Sequence, residues 1–176
     1  MSSETSIRHE WIADADKYGN YIEGRCKGEK GKFCSMEKLR GAGKMISSAE
    51  EFVRLRDGSN PEEYRRAAVD SASEQVWLDV INNYPEERVW VAQNKTVPMS
   101  ILKVLATDSD ARVRFMVAMK RKLTSDLLDI LSFDSDESIR LAVARHKSTS
   151  NATLEVLHND EWEEVRVAAG RRLNRK

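Results

Sequence analysis

The chain has 176 residues, 40% hydrophobic and 33% charged, and its formal net charge is zero. The apolar content is too high for a disordered chain, and the charge content suits a thin protein with much surface. Zero net charge argues against a dedicated nucleic-acid domain, which carries a basic excess, but leaves room for a local basic patch.

No apolar run approaches the length of a bilayer span. The first residues, Met1-Ser2-Ser3-Glu4-Thr5, lack the positive-then-apolar pattern of an export signal. With two cysteines and no such signal, the expected compartment is the cytoplasm. Residues 1–44 are rich in Gly, Lys and aromatics and form a segment of their own, either a cap or a partner-binding element. Within it, Tyr18-Gly19-Asn20-Tyr21 fits a two-residue β-hairpin turn. Asp14-Ala15-Asp16 opens like a calcium loop, but Tyr18 and Arg25 stand where oxygen ligands are required, so the site is rejected. Cys26 and Cys34 are eight apart with only His9 nearby, a spacing that favours plain thiols, with a metal or redox role as the alternative.

The sequence changes character near residue 45. Ser47, Ser48, Glu50 and Glu51 offer a capping box for a first helix, and Asn60-Pro61-Glu62 starts a second. From there the chain repeats. The block Arg112-Val113-Arg114-Phe115-Met116-Val117-Ala118 recurs 26 positions on as Ser138-Ile139-Arg140-Leu141-Ala142-Val143-Ala144. It returns as Glu164-Val165-Arg166-Val167-Ala168-Ala169-Gly170, and 26 positions earlier as Glu86-Glu87-Arg88-Val89-Trp90-Val91-Ala92. A second block recurs in phase: Ile101 to Leu105, Leu127 to Leu131 and Thr153 to Leu157, followed by Asp108, Asp134 and Asp160. An older unit, Tyr64 to Val69 with Trp77 to Ile81, has a spacing nearer 24. Val113, Met116 and Val117 share one helix face, and Leu127, Leu128 and Leu131 form a shorter stripe. Thr124-Ser125-Asp126 and Thr149-Ser150-Asn151 supply turns and N-caps, and Pro98 suits a first helical turn. Each unit therefore predicts helix, turn, short helix, acidic turn. The units fall near 61–84, 85–108, 110–134, 136–160 and 162–174, within a repeat domain over 45–176. One such pair cannot bury its faces alone, so neighbours must stack.

These residues, notably Asp110 to Ala118, Asp136 to Ala144 and Glu161 to Ala169, resemble the leucine-rich repeat variant, a relative of HEAT repeats. The resemblance spans about residues 60 to 173. It implies an all-α fold in which helix pairs stack into a short right-handed solenoid. It says almost nothing of function, because such repeats serve many partners. Some members carry an N-terminal four-cysteine iron–sulfur domain; two cysteines do not allow that here.

Two charge series accompany the repeat. Arg88, Arg114, Arg140 and Arg166 read either as a ligand-binding stripe or, the reading preferred, as a ladder onto Asp108, Asp134 and Asp160, since guanidinium forks suit recurring carboxylates. Lys95, Lys120-Arg121-Lys122, Arg145-His146-Lys147 and Arg171-Arg172 recur at the end of each first helix, opposite Glu86-Glu87, Asp108-Asp110, Asp134-Asp136 and Asp160-Glu161. Ordinary helix-end chemistry accounts for part of this; the alternative is an electrostatic docking edge. Trp90 falls on the core stripe, and Trp162, in an acidic turn, is an interface anchor candidate. No nucleophile–base motif, phosphate loop or zinc-protease motif is present. The expected function is non-catalytic protein binding without cofactor or small-molecule substrate, in its concrete form an immunity- or antitoxin-like inhibitor of a toxin. Nucleic-acid binding along the basic edge and a general adaptor role are the alternatives.

Overall fold

The structure is a computed structural model that describes residues 45–175. The readings on residues 1–44, namely the cap or binding segment, the hairpin turn and the thiols of Cys26 and Cys34, lie outside the described residues. The rest is all-α. The helices are α1 (Ala49–Asp57), α2 (Pro61–Val69), α3 (Glu74–Asn83), α4 (Arg88–Gln93), α5 (Met99–Leu105), α6 (Ala111–Ala118), α7 (Ser125–Leu131), α8 (Glu137–Arg145), α9 (Asn151–Leu157) and α10 (Glu163–Leu173). A 3₁₀ turn, Pro85–Glu87, precedes α4. Among the described residues the β pairing is a single parallel bridge, Ile46 to Ala72.

The helix starts follow from their caps. The Ser48 hydroxyl accepts from the Glu51 N–H at 3.2 Å, while the Glu51 carboxylate accepts from the Ser47 N–H at 2.9 Å. The reciprocal bond of this capping box thus lands one residue earlier than the usual pattern. Asn60 caps α2, with Pro61 at the first helical position. Asp110 and Asp136 cap α6 and α8 by accepting from the N–H two residues on, and Ser150 caps α9. Pro98 differs from the expectation: it is itself the N-cap of α5, with extended backbone (φ −72°, ψ 158°), and the first turn begins at Met99.

The even-numbered helices from α4 onward pack on one another in order, α4 on α6, α6 on α8 and α8 on α10. Each odd-numbered helix packs on the even-numbered helix that follows it. The buried side chains repeat with the sequence: Val91, Val117, Val143 and Ala169 at one position, Val113, Ile139 and Val165 at another. Leu127, Leu128 and Leu131 are buried, as are Ile101, Leu102 and Leu105. Burying such side chains contributes roughly 1.5–3 kcal/mol each.

One position breaks the pattern. Glu87 occupies the register of Val113, Ile139 and Val165, yet is 7% exposed. Its carboxylate faces the Arg56 guanidinium across 3.7 Å, and neither Arg56 Nε nor Glu87 Oε2 makes a hydrogen bond. Burial pushes the Glu87 pKa up against the pull of Arg56. The guanidinium lies 3.5 Å over the Trp90 ring and 4.2 Å from the Tyr64 ring, so aromatic faces supply part of what a hydrogen bond would. Trp90, expected in the core, is accordingly half-buried and serves as a platform for a cation.

A buried pair without hydrogen bonds adds little net stability, but losing one partner strands the other charge. Glu87→Val alone should destabilise by about 3 kcal/mol. The double change Arg56→Met with Glu87→Val should recover most of that loss in urea unfolding. Equal losses in the single and double variants would show that the pair is not the operative contact.

Candidate functional site

Two hydrogen-bonded spines cross the stacked units, and together they decide which charged side chains remain available. The first is built on arginine. Arg114 donates from Nε and its second terminal nitrogen to both oxygens of Asp134, at 2.7 and 2.8 Å. Arg140 does the same to Asp160, at 2.7 and 3.0 Å. The remaining nitrogen turns back to the acidic turn of its own unit: Arg114 to the Asp108 carbonyl at 2.8 Å, Arg140 to the Asp134 carbonyl at 2.9 Å. Each aspartate also accepts from the N–H two residues on, at Asp110, Asp136 and Trp162. The Arg140 and Asp160 side chains are only 9% and 8% exposed. The Arg140 fork holds the Asp160 carboxyl below the usual aspartate range against the effect of burial. Arg88 is looser, with a single 3.4 Å contact to Asp108 and its Nε bonded to the Ile81 carbonyl. Arg166 keeps the contacts to its own turn, at 2.8 and 2.7 Å to the Asp160 and Glu161 carbonyls. No carboxylate pairs with Arg166 among the described residues.

The second spine was not anticipated. The Lys120 ammonium donates to the Asn94 carbonyl at 2.5 Å. His146 Nε2 bonds the Lys120 carbonyl at 2.8 Å, and Arg172 donates to the His146 carbonyl at 2.5 Å. Each step is 26 residues. Asn94 begins the series, donating to the Ala67 and Asp70 carbonyls at 2.8 and 3.0 Å. Asn, Lys, His and Arg share one property, a donor long enough to reach the turn below, and that was the available signal. Lys120, His146 and Arg172 were expected to face a partner; they are half-buried and bond the preceding unit's backbone. Burial, reinforced by Lys95, lowers the Lys120 pKa to about 8. Burial also lowers that of His146. His146 Nδ1 accepts from the Ser148 N–H at 3.1 Å, which makes Nε2 the donor and the ring neutral.

What remains at this edge is a smaller set. Arg121 and Lys122 follow α6, Lys147 follows α8, and Arg171 lies in the last turn of α10; all four are exposed. Lys95 and Arg145 are exposed at the same edge. The opposite edge is largely consumed: Asp108, Asp134 and Asp160 accept in the arginine spine, Asp110 and Asp136 cap helices, and Glu87 is buried. Trp162 is 44% exposed.

Comparison with protein-family models, with curated proteins and with solved structures returned no match. The site is therefore read from its own chemistry. Exposed cations on a frame tied by two spines form a cationic edge complementary to an anionic surface. No helix among the described residues is long and apolar enough to cross a membrane.

Two outcomes follow from the spines. Asp160→Ala strands the buried Arg140 and should destabilise by about 3 kcal/mol. Arg112→Ala, which removes a guanidinium 82% exposed on Asp110, should leave the midpoint unchanged. Chemical denaturation of both variants checks the contrast. The second outcome concerns pH. The folded chain keeps His146 neutral below the ordinary 6.5, so the unfolded chain takes up the proton first as pH falls. The stability present above 6.5 should decline as pH drops through the lowered folded value. His146→Gln, which keeps a donor but cannot titrate, should flatten this part of the curve of melting temperature against pH.

Proposed function

We propose that this chain is a non-catalytic repeat module that binds a protein partner. On this reading it is a short right-handed α-solenoid of the HEAT-like, leucine-rich repeat variant type. Its concrete role is that of an immunity- or antitoxin-like inhibitor, working in the cytoplasm, that covers the active site of a toxin. The observation that carries the reading is the row of exposed cations, Arg121, Lys122, Lys147 and Arg171, on successive turns whose neighbours Lys120, His146 and Arg172 are tied to the unit before. A preorganised charged row speeds encounter and selects an acidic partner. The balanced charge of the whole chain favours a protein over a nucleic acid. The 26-residue recurrence of both spines supports the solenoid arrangement.

The test is affinity capture from the source cells with the native chain and with Arg121, Lys122, Lys147 and Arg171 all changed to Glu. The native chain should retain one protein in stoichiometric amount, and the reversed chain should lose it. Several partners in minor amounts would point to an adaptor or scaffold instead. A DNA or RNA shift at low salt, abolished by the same reversals, would transfer the reading to nucleic acid.

A further inference from the structure

The arginine spine contains one member that differs from the others in a specific way. Arg114 and Arg140 each use one terminal nitrogen to grip their own acidic turn and present the opposite edge, Nε and the second terminal nitrogen, to an aspartate of the next unit. Arg166 grips its own turn as they do, through the Asp160 and Glu161 carbonyls. Its guanidinium is therefore anchored in the same way, while its fork edge meets no carboxylate among the described residues. The side chains around it differ too. Val167 stands in register with Phe115 and Leu141, which are half-buried against the core, yet it is 41% exposed. Trp162, whose carbonyl accepts from the Arg166 N–H, takes the N-cap place that Asp110 and Asp136 hold in the units before it, and its indole is exposed. An anchored arginine with an exposed tryptophan four residues before it and an exposed valine one residue after it has the composition of an interface hot spot.

We propose that this face of α10 is a binding site for a protein segment that seats an aspartate or glutamate in the Arg166 fork and an apolar side chain against Trp162 and Val167. The chain itself shows the complementary group twice, as Asp134 in the Arg114 fork and Asp160 in the Arg140 fork, both with oxygens at 2.7–3.0 Å. The required chemistry is a planar carboxylate offered from a turn, which a guanidinium fork matches and an ammonium does not. The proposal rests on the protein-binding reading but not on the cationic row.

The test uses the full chain labelled with ¹⁵N-arginine and ¹⁵N-tryptophan and a capped peptide of residues 157–160, whose Asp160 fills the Arg140 fork within the chain. Addition of the peptide should shift the Arg166 Nε–H and Trp162 indole N–H signals until they saturate, with Arg114 and Arg140 unmoved. The peptide with Asp160→Asn should give no such shift, and Arg166→Lys in the chain should remove the Trp162 response. An unresponsive Arg166, or an equal response to the Asp160→Asn peptide, would overturn the proposal. So would an Arg166 Nε–H as protected from exchange as those of Arg114 and Arg140 before any peptide is added. A change with protein concentration alone would hand the fork to a second copy and overturn it as well. Reversing Arg121, Lys122, Lys147 and Arg171 should leave the peptide response intact, so failure of the cationic row and failure of this site give different results.

Discussion

A guanidinium that reaches twenty residues ahead to a carboxylate sets the register of neighbouring units. Apolar packing alone would not do so. Valine, isoleucine and alanine faces tolerate small slides and rotations, because dispersion contacts are many, weak and non-directional. The Arg114–Asp134 and Arg140–Asp160 forks are directional, with paired bonds of 2.7–3.0 Å. Each also ties its own acidic turn, so one side chain joins two turns and two helices. Removing such a pair from water costs several kcal/mol per ion, and only near-complete hydrogen bonding offsets that. The aspartates meet this condition by also accepting from the N–H two residues on. The spine therefore contributes geometry more than net stability.

The second spine does its work at the other end of the even-numbered helices, where the exposed carbonyls of a helix C-terminus would otherwise need water. Asn94, Lys120, His146 and Arg172 satisfy carbonyls of the unit before. A cation at a helix C-terminus is favourable in any protein, so composition alone could not separate these residues from their exposed neighbours. The separation is one of bonding: Lys120, His146 and Arg172 are held on backbone carbonyls, while Arg121, Lys122, Lys147 and Arg171 beside them are exposed.

Much of the fold was legible in the sequence, for physical reasons that can be named. The caps at Ser48, Asn60, Asp110, Asp136 and Ser150 could be read because a short side-chain oxygen just before a helical pattern has few other uses. The arginine series could be read because its carboxylates kept phase with it. The stripe of Leu127, Leu128 and Leu131 could be read because all three lie on one helix face; all are buried, and Ile130, off the stripe, is 55% exposed. Two features could not. Glu87 takes a core position beside a unit whose spacing slips from 26 toward 24, and its partner Arg56 lies in a helix before the repeat. Lys120 and Arg121 are adjacent cations with opposite roles, and only the position of the Asn94 carbonyl tells them apart. The recurrence of cations at the helix ends was legible in the sequence; which of them bond backbone carbonyls was not.

The stack is not uniform along its length. In a repeat array, stability is a sum of unit terms and nearest-neighbour interface terms, so differences between interfaces matter locally. The interface between α6 and α8 and that between α8 and α10 each carry a two-pronged fork. The interface between α4 and α6 carries one contact at 3.4 Å, because the Arg88 Nε is occupied by the Ile81 carbonyl. On the other side of α4, the Arg56–Glu87 pair makes no hydrogen bond. The short helix α4 thus carries two weak ion pairs, and its other contacts include the buried Val91 and Ala92, the Arg88 bond to the Ile81 carbonyl and the second-spine bonds of Asn94. Asn94 is fully buried and joins the end of α4 to the older unit before it and, through Lys120, to the regular unit after it. The second spine therefore bridges the region where the first is weakest, within the one apolar core that the irregular and regular units share.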